Sequence, residues 1–302
     1  STVDMMVSVK KINQFLQHKD TNPNEFSVEK FSDSTFAIKV DNASFEWDTF
    51  EDEEKDYEEE AKTKDNIEDE DHNCATETIK GKITVDYKSD SDSISSTLTK
   101  GVKTAFPGLN NINLEIAKGE FIVVTGAIGS GKSSLLQAIS GLMKRTSGEV
   151  YVDGDLLLCG YPWVQNSTIR ENILFGLPFN KERYDQVVYS CSLQSDFDQF
   201  QGGDMTEVGE RGITLSGGQK ARINLARSVY ADKDIILLDD VLSAVDAKVG
   251  KHIVNTCILG LLGGKTRIMA THQLSLIDSA DRMVFLNGDG TIDFGTIPEL
   301  RK

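Results

Sequence analysis

Residues 126–133, with the sequence GAIGSGKS, constrain the fold of this chain more than any other segment. They follow a buried-strand pattern at 121–125 and precede apolar residues at helical spacing, including Leu135 and Ile139. A glycine-rich loop between a strand and a helix turns its N–H groups inward, and the helix adds its positive end. The loop fixes four positions of a known pattern, Gly126, Gly131, Lys132 and Ser133. These four residue types at this spacing recur by chance in about 1 of 100 chains of this length. The order of strand, loop and helix predicts a phosphate site in an α/β fold.

The residue types of this loop suit the β- and γ-phosphates of a nucleotide. Lys132 supplies a positive charge, and the Ser133 hydroxyl is a ligand that Mg²⁺ accepts. The alternative is a glycine turn that only joins a strand to a helix, and the segments at 215–219 and 235–239 argue against it. The candidate nucleotide-binding residues are Gly126, Ala127, Ile128, Gly129, Ser130, Gly131, Lys132, Ser133 and Ser134.

Two further segments fit a phosphate site. Residues 235–239 form a buried-strand pattern that ends in Asp239, and a parallel sheet would bring this carboxylate beside the phosphate loop as a Mg²⁺ ligand. A second phosphate-binding helix start is predicted before the helical run at 221–229. A single nucleotide cannot easily use both helix starts within one monomer. The second start has the sequence LSGGQ, formed by Leu215, Ser216, Gly217, Gly218 and Gln219.

With these motifs, the sequence resembles the nucleotide-binding domains of ABC transporters over nearly all residues outside 48–100. In that family the phosphate loop of one domain and the LSGGQ of another enclose ATP and Mg²⁺ head to tail. Repair and chromosome ATPases that carry the same signature need a long coiled coil between the two motifs. Only 82 residues separate Ser133 from Ser216, and they contain no heptads, so that class is excluded.

The resemblance implies roles for further residues. Gln165, in YPWVQ, matches the glutamine that senses Mg²⁺ and the γ-phosphate, and is thereby a metal ligand with Ser133 and Asp239. His272 matches the switch histidine, and Trp47 matches the aromatic residue that stacks on adenine. A lone His or Trp is more often a core residue, so both assignments depend on the family. The resemblance places a seam between paired domains at Ser243, Ala244 and Asp246.

A narrower resemblance is to the first nucleotide-binding domain of the C subfamily, the multidrug-resistance and chloride-channel group. It is carried by residues 38–47, 168–176 and 238–240. Two interpretations of Phe175 stay open. It is either a core residue with helical spacing to Ile169 and Asn172, or a partly exposed aromatic that contacts the membrane domain.

The chain departs from the family pattern at Asp240, where an ABC ATPase usually has the Glu that orients the attacking water. The Asp carboxylate ends about 1.5 Å short, and a misplacement of about 1 Å can cost about a hundredfold in rate. We expect the catalytic set Asp240, His272 and Gln165 to hydrolyse ATP weakly. The intact LSGGQ would complete the site of the partner domain. The alternative is a nucleotide-gated regulatory module without hydrolysis of its own.

The net charge and the length of the apolar runs argue against a nucleic-acid-binding protein and against a membrane-spanning segment. The formal net charge is −16, and residues 46–71 alone carry 15 acidic side chains against three lysines. A chain this acidic, without a basic stripe, does not fit nucleic acid as a partner. No run approaches the roughly 18 apolar residues that span a bilayer, so we expect no direct bilayer insertion. The four cysteines lie far apart without a CxxC pair, which argues against zinc or a disulfide framework.

The predicted fold class is α/β: a P-loop NTPase core of the ABC type with a mixed sheet, an antiparallel β subdomain and a helical subdomain at about 166–230. Residues 35–302 are expected to form this domain, and 1–34 an N-terminal helix and linker leading from a membrane domain. Residues 48–100 read as a disordered acidic insertion, with a regulatory segment as the alternative. The pattern is mostly helical at 167–230, and a further helix is predicted at 246–260.

The resemblance implies the function of an ABC multidrug exporter that couples Mg-ATP binding to efflux. Its expected partners are a second nucleotide-binding domain and the membrane-spanning domains of the same transporter. The expected location is the cytoplasmic face of a membrane, with the plasma membrane favoured. The transported substrate does not follow from this sequence, because substrate contacts would lie in membrane segments.

Overall fold

A computed structural model describes residue 25 and residues 27–30, 35–47, 106–209 and 213–300. The expected N-terminal helix, most of the 1–34 linker and the whole of the acidic insertion at 48–100 lie outside these residues. Within them, no helix combines the length and the apolar character that crossing a bilayer requires.

The strands, in chain order, are β1 Glu29–Lys30, β2 Phe36–Glu46, β3 Leu109–Ala117, β4 Phe121–Gly126, β5 Lys144–Val152, β6 Leu156–Cys159, β7 Ser167–Thr168, β8 Glu207–Val208, β9 Ile235–Asp239, β10 Thr266–Ala270, β11 Arg282–Leu286 and β12 Ile292–Gly295. The α-helices are α1 Lys132–Ile139, α2 Ile169–Leu174, α3 Lys181–Ser190, α4 Gln194–Phe197, α5 Gly217–Tyr230, α6 Ala247–Ile253 and α7 Ile297–Leu300. Short 3₁₀ turns occupy Gly203–Met205 and Leu274–Ser279, and α6 continues as a π-helix over Val254–Leu261.

The larger sheet has the order β12-β11-β4-β10-β9-β6, and its strands are parallel except for β12. The central strand β4 is buried on both faces, which explains its unbroken apolar run. Val123 packs in an apolar cluster with the helices of 169–230. Val124 packs in a second apolar cluster, with α1 and the strands β2, β3 and β5. In register, Ala270 of β10 pairs with Asp239 of β9 and Val124 of β4, so the three strands end at one edge.

The second sheet has the order β1-β5-β2-β3. Strand β2 pairs antiparallel with β3 and β5, whereas the two-residue β1 runs parallel to β5. Opposite charges lie across one β2–β3 pair, where Lys39 Nζ is 3.0 Å from Glu115 Oε1. The mixed sheet, the largely antiparallel sheet and the helices confirm the predicted α/β class.

The stretch predicted as mostly helical contains α2 to α5, but it also contains β7 and β8, which pair antiparallel. Two-residue strands are too short to show an alternating pattern, so periodicity cannot reveal them. The single helix predicted at 246–260 is correct in position, although its second half has π geometry.

Candidate nucleotide-binding site

The phosphate loop joins β4 to α1 through three glycines with left-handed backbone, Gly126, Gly129 and Gly131. At Gly126 (φ 146°), a Cβ atom would lie 2.8 Å from the Leu286 carbonyl oxygen, so no other residue fits without a shift. The buried Ser130 hydroxyl has no hydrogen-bond partner among the described residues. An unpaired buried hydroxyl in such a loop suits an anionic ligand that would complete its hydrogen bonding.

Lys132 begins α1, and its side chain is buried beneath the loop. Its Nζ donates to the carbonyl oxygens of Gly126, at 3.1 Å, and Ala127, at 2.9 Å. Burial lowers the pKa of Lys132, while the Asp240 and Asp239 carboxylates oppose that shift. The cation is therefore held under the glycine loop by backbone carbonyls and faces two carboxylates.

Two predicted metal ligands lie in direct contact. The Ser133 hydroxyl donates to Asp239 Oδ1 at 2.9 Å. Burial raises the pKa of Asp239, the Ser133 bond lowers it, and the neighbouring Asp240 charge raises it. A hydroxyl and a desolvated carboxylate this close form an oxygen donor pair of the kind that Mg²⁺ prefers. The residues present thus fit a magnesium ion.

Asp240 has a left-handed backbone (φ 49°) at the turn that follows β9. Its N–H donates to the Ala270 carbonyl at 3.0 Å, and its own carbonyl accepts from the Ser243 hydroxyl at 3.0 Å. These bonds fix the main chain at Asp240 to the end of β10 and to the following turn. Backbone movement therefore cannot easily compensate for the shorter side chain.

A cavity of about 340 Å³ lies at this edge of the sheet. On one side the indole Nε1 of Trp47, which is 43% exposed, donates to the Ser134 hydroxyl at 3.3 Å. The predicted site residues that line the cavity are Trp47, Ile128, Gly129, Gly131, Lys132, Ser133, Ser134, Asp239, Asp240 and His272. A larger cavity of about 490 Å³ lies elsewhere, beside Asp153 and Lys265, and contains none of the predicted residues.

Comparison with known proteins identifies the family. The family model described as ABC transporter matches residues 109–243. The chain is 50% identical to the Oligomycin resistance ATP-dependent permease YOR1 of Saccharomyces cerevisiae, over 99% of this chain and 21% of that protein. This chain contains an ABC transporter nucleotide-binding domain. The whole chain, acidic segment included, resembles this fungal permease.

Two further relatives match about three fifths of this chain, and one of them is named as a sub-family C protein. ATP-binding cassette sub-family C member 2 of Homo sapiens is 49% identical over 61% of this chain and 12% of that protein. The ABC-type transporter cicA of Emericella nidulans is 48% identical over 64% of this chain and 14% of that protein. The ABC domain is therefore homologous to part of ATP-binding cassette sub-family C proteins. The chain spans about a fifth or less of the length of these relatives.

Phe106 is a cavity residue of this ABC domain that the sequence did not reveal. It directly follows the segment outside the described residues, and a Cβ at Gly131 would lie 2.4 Å from its ring. The only signal is one aromatic residue between a polar stretch and a strand, which is too common to single out. Phe106 and Trp47 line the same cavity.

The LSGGQ of this ABC domain does not line the cavity. Ser216 caps α5: its hydroxyl accepts from Gln219 N–H at 3.2 Å, and its own N–H donates to Gln219 Oε1 at 2.9 Å. Gln219 Nε2 also donates to Asp196 Oδ1 at 3.0 Å. The signature helix start is therefore preorganised at a separate surface, away from the phosphate loop of its own chain.

The predicted seam lies next to the signature. A Cβ at Gly218 would lie 2.8 Å from the Ala244 carbonyl oxygen, and Ser243 and Ala244 are exposed. Asp246 caps α6 by accepting from the N–H groups of Lys248 and Val249, at 3.1 and 3.0 Å. The contacts seen for Asp246 are thus those of a helix cap.

Two other predicted residues lie away from the cavity lining. Gln165 has an exposed side chain, and its backbone is bound by Asn172. Phe175 ends α2 with a left-handed backbone (φ 44°) and is 49% exposed, whereas Ile169 and Asn172 are fully buried. Its ring contacts Trp163 edge to face, at 5.5 Å between centroids. Phe175 is therefore not a core residue.

Proposed function

We propose that this chain is the first nucleotide-binding domain of an ABC multidrug exporter of the C subfamily. In this proposal, Mg-ATP binding and head-to-tail pairing with a second nucleotide-binding domain drive movement of the membrane-spanning domains. The domain would work at the cytoplasmic face of a membrane, the plasma membrane being favoured. The observation that carries the proposal is that Lys132, the Ser133–Asp239 pair and Trp47 all line one cavity.

Each lining group has a role in this proposal. The loop N–H groups and the start of α1 bind the phosphates, and Lys132 neutralises them. Ser133 and Asp239 hold Mg²⁺, which when bound neutralises charge that develops on the transferred phosphoryl group. Trp47 and Phe106 line the side where an adenine ring would stack. His272 lines the same cavity, two residues after the end of β10.

The proposed site hydrolyses ATP weakly. Asp240 would have to orient the attacking water, and its carboxylate is about 1.5 Å shorter in reach than that of Glu. The hydrogen bonds that fix its backbone support this reading, because they oppose a compensating shift. The LSGGQ, in which Ser216 and Gly217 are exposed and Ser216 caps α5, would instead complete the site of the partner domain. A module with no hydrolysis of its own is the second candidate, and the same short carboxylate favours it.

The test is nucleotide-dependent thermal stabilisation of the chain. A ligand present at 100 times its dissociation constant stabilises by about 2.7 kcal/mol, and Lys132→Ala is expected to abolish that shift. Lys181→Ala is the matched control, because Lys181 is exposed and pairs with Asp185 on the same helix, away from the cavity. An unchanged shift in Lys132→Ala would refute the phosphate-loop assignment.

A further inference from the structure

Trp47 and Phe106 extend from the same end of one pair of strands. Phe45, near the end of β2, pairs with Leu109, the first residue of β3. Trp47 follows that end of β2, and Phe106 lies three residues before the start of β3. Neighbouring strands lie about 4.8 Å apart, so two residues that flank the same end of a pair start close together. The register of β2 and β3 therefore brings both aromatic rings to one cavity.

The backbone between Phe106 and β3 is pressed against β2. Gly108 has a left-handed backbone (φ 81°), and a Cβ atom there would lie 2.5 Å from the Phe45 carbonyl oxygen. Only glycine allows this close approach without a shift. The Phe106 ring is partly buried and packs against the apolar cluster that contains α1 and the strands β2, β3 and β5. The packing of the domain itself therefore holds this ring in place.

The two rings contact the same side of the start of α1. Trp47 Nε1 donates to the Ser134 hydroxyl at 3.3 Å, and a Cβ atom at Gly131 would lie 2.4 Å from the Phe106 ring. Gly131 is the N-cap of α1, and Ser134 is the third residue after it. These two positions are neighbours on the surface of a helix start. Trp47 and Phe106 thus form one aromatic side of the cavity.

The carboxylates of the cavity belong to a different side of this helix start. Ser133 points about 100° away from Ser134 around the axis of α1, and its hydroxyl donates to Asp239 at 2.9 Å. Asp239 ends β9, whereas Asp240 and His272 follow β9 and β10. On the aromatic side, the indole N–H is the one side-chain donor of the two rings, and it is bonded to the Ser134 hydroxyl. Among the described residues, this side therefore offers stacking surface and not hydrogen bonds to a base.

We propose that Phe106 is a nucleotide-binding residue, and that it and Trp47 hold a purine base by stacking alone. The inference rests on the proposed function and names the substrate class of the same site: purine nucleoside triphosphates, with guanine accepted as well as adenine. A site that binds the edge of a base rejects other bases because they leave its polar groups unpaired, whereas every base presents a π face. The phosphates are the same in all these nucleotides, so the aromatic side decides the selectivity.

The experiment measures the affinity of the chain, in the presence of Mg²⁺, for ATP, GTP, CTP and inorganic triphosphate. ATP and GTP are expected to differ by less than about fivefold, because recognition of the base edge would give a larger difference. CTP should bind more weakly, because its single ring offers less surface for stacking. Triphosphate has no base, so it reports on the phosphate loop separately.

Phe106→Ala is expected to lower the affinity for both purine nucleotides by about 5- to 150-fold, as loss of one base–aromatic stack does, and to leave the affinity for triphosphate unchanged. Phe106→Leu keeps an apolar side chain without a ring, so it should show the same loss and serves if Phe106→Ala does not fold. Phe106→Tyr keeps the ring and should retain the wild-type affinity. Phe285→Ala is the matched control, because Phe285 is 42% exposed on β11 and does not line this cavity.

The outcomes separate this inference from the function on which it rests. If Lys132→Ala binds ATP and triphosphate as the wild type does, the proposed function fails. If binding depends on Lys132 but GTP binds more than about fivefold more weakly than ATP, the site reads the base edge and only the stacking inference is overturned. Wild-type ATP affinity in Phe106→Ala and Phe106→Leu would exclude Phe106 from the base site. An equal loss of triphosphate affinity in these variants would also overturn its stacking role, because the ring would then act on the loop.

Discussion

Replacing Phe175 by Ala tests whether this ring serves the domain itself or a partner. Truncating a fully buried Phe costs about 3–5 kcal/mol, part of which is the cavity that remains. Phe175 is 49% exposed, so about half of the transfer free energy is at stake, and an open position leaves no closed cavity. Loss of the edge-to-face contact with Trp163 adds about 0.5 kcal/mol or more. The expected total is about 1.5 kcal/mol.

The assay is denaturant or thermal unfolding of the chain. A loss of about 1.5 kcal/mol corresponds to a fall in Tm of about 3–6 °C for a domain of this size. Leu177→Ala is a suitable control, because Leu177 is 44% exposed and lies two residues further along the chain. A loss of about 3 kcal/mol or more would show that Phe175 is buried in solution and would refute the reasoning.

The second half of the test uses the full-length transporter. An exposed aromatic ring that docks into a partner is a typical hot spot, worth about 2 kcal/mol or more. Phe175→Ala is therefore expected to weaken assembly with the membrane domain by more than its effect on the chain alone explains. Assembly equal to that of the Leu177→Ala control would exclude the docking role.

Four further outcomes are expected. Asp240→Glu should raise ATP turnover only when a partner domain supplies LSGGQ, and brisk turnover by the unpartnered wild-type chain would contradict the weak-site proposal. Asp239→Asn should raise the Tm of the nucleotide-free chain and abolish Mg²⁺-dependent stabilisation. Burial raises the pKa of Asp239, so the wild-type contribution to stability falls as pH rises through that pKa, and the variant should lack this dependence. Gly131→Ala should weaken ATP binding, because φ at Gly131 is 100° and the new methyl group meets Phe106. Deleting residues 52–98 should leave ATP affinity and transport unchanged if the insertion is passive, and changed values that depend on serine phosphorylation would favour the regulatory alternative.

The motifs made of neighbouring residues are predictable from the sequence because their physics is local. The glycine loop requires φ values that only glycine adopts easily, and it sits between a strand and a helix that periodicity identifies. The strand that ends at Asp239 and the helix that Ser216 caps are equally local features, because the first shows as an apolar run and the second as a pair of capping residues. Composition likewise separates the acidic insertion from the rest of the chain.

Other features depend on which distant segments become neighbours, and only the tertiary structure decides this. Ser133 and Asp239 are 106 residues apart, and their 2.9 Å contact follows from the register of β4, β9 and β10. The placement of Phe106 against Gly131 has no pattern in the sequence at all.

The surroundings of Gln165 and Phe175 likewise depend partly on the sequence and partly on the tertiary structure. Family resemblance assigns both residues a role, but helical spacing alone does not decide whether Phe175 is a core residue or a surface residue. The structure decides for the surface because the chain leaves α2 at Phe175 in a left-handed turn, directing the ring toward Trp163 and Arg227. Arg227 comes from a helix more than fifty positions further along the chain, and its bonds to Asn172 exist only once α2 and α5 pack together. Sequence determines which groups are available, and the packing of these two helices brings the Arg227 guanidinium against Asn172.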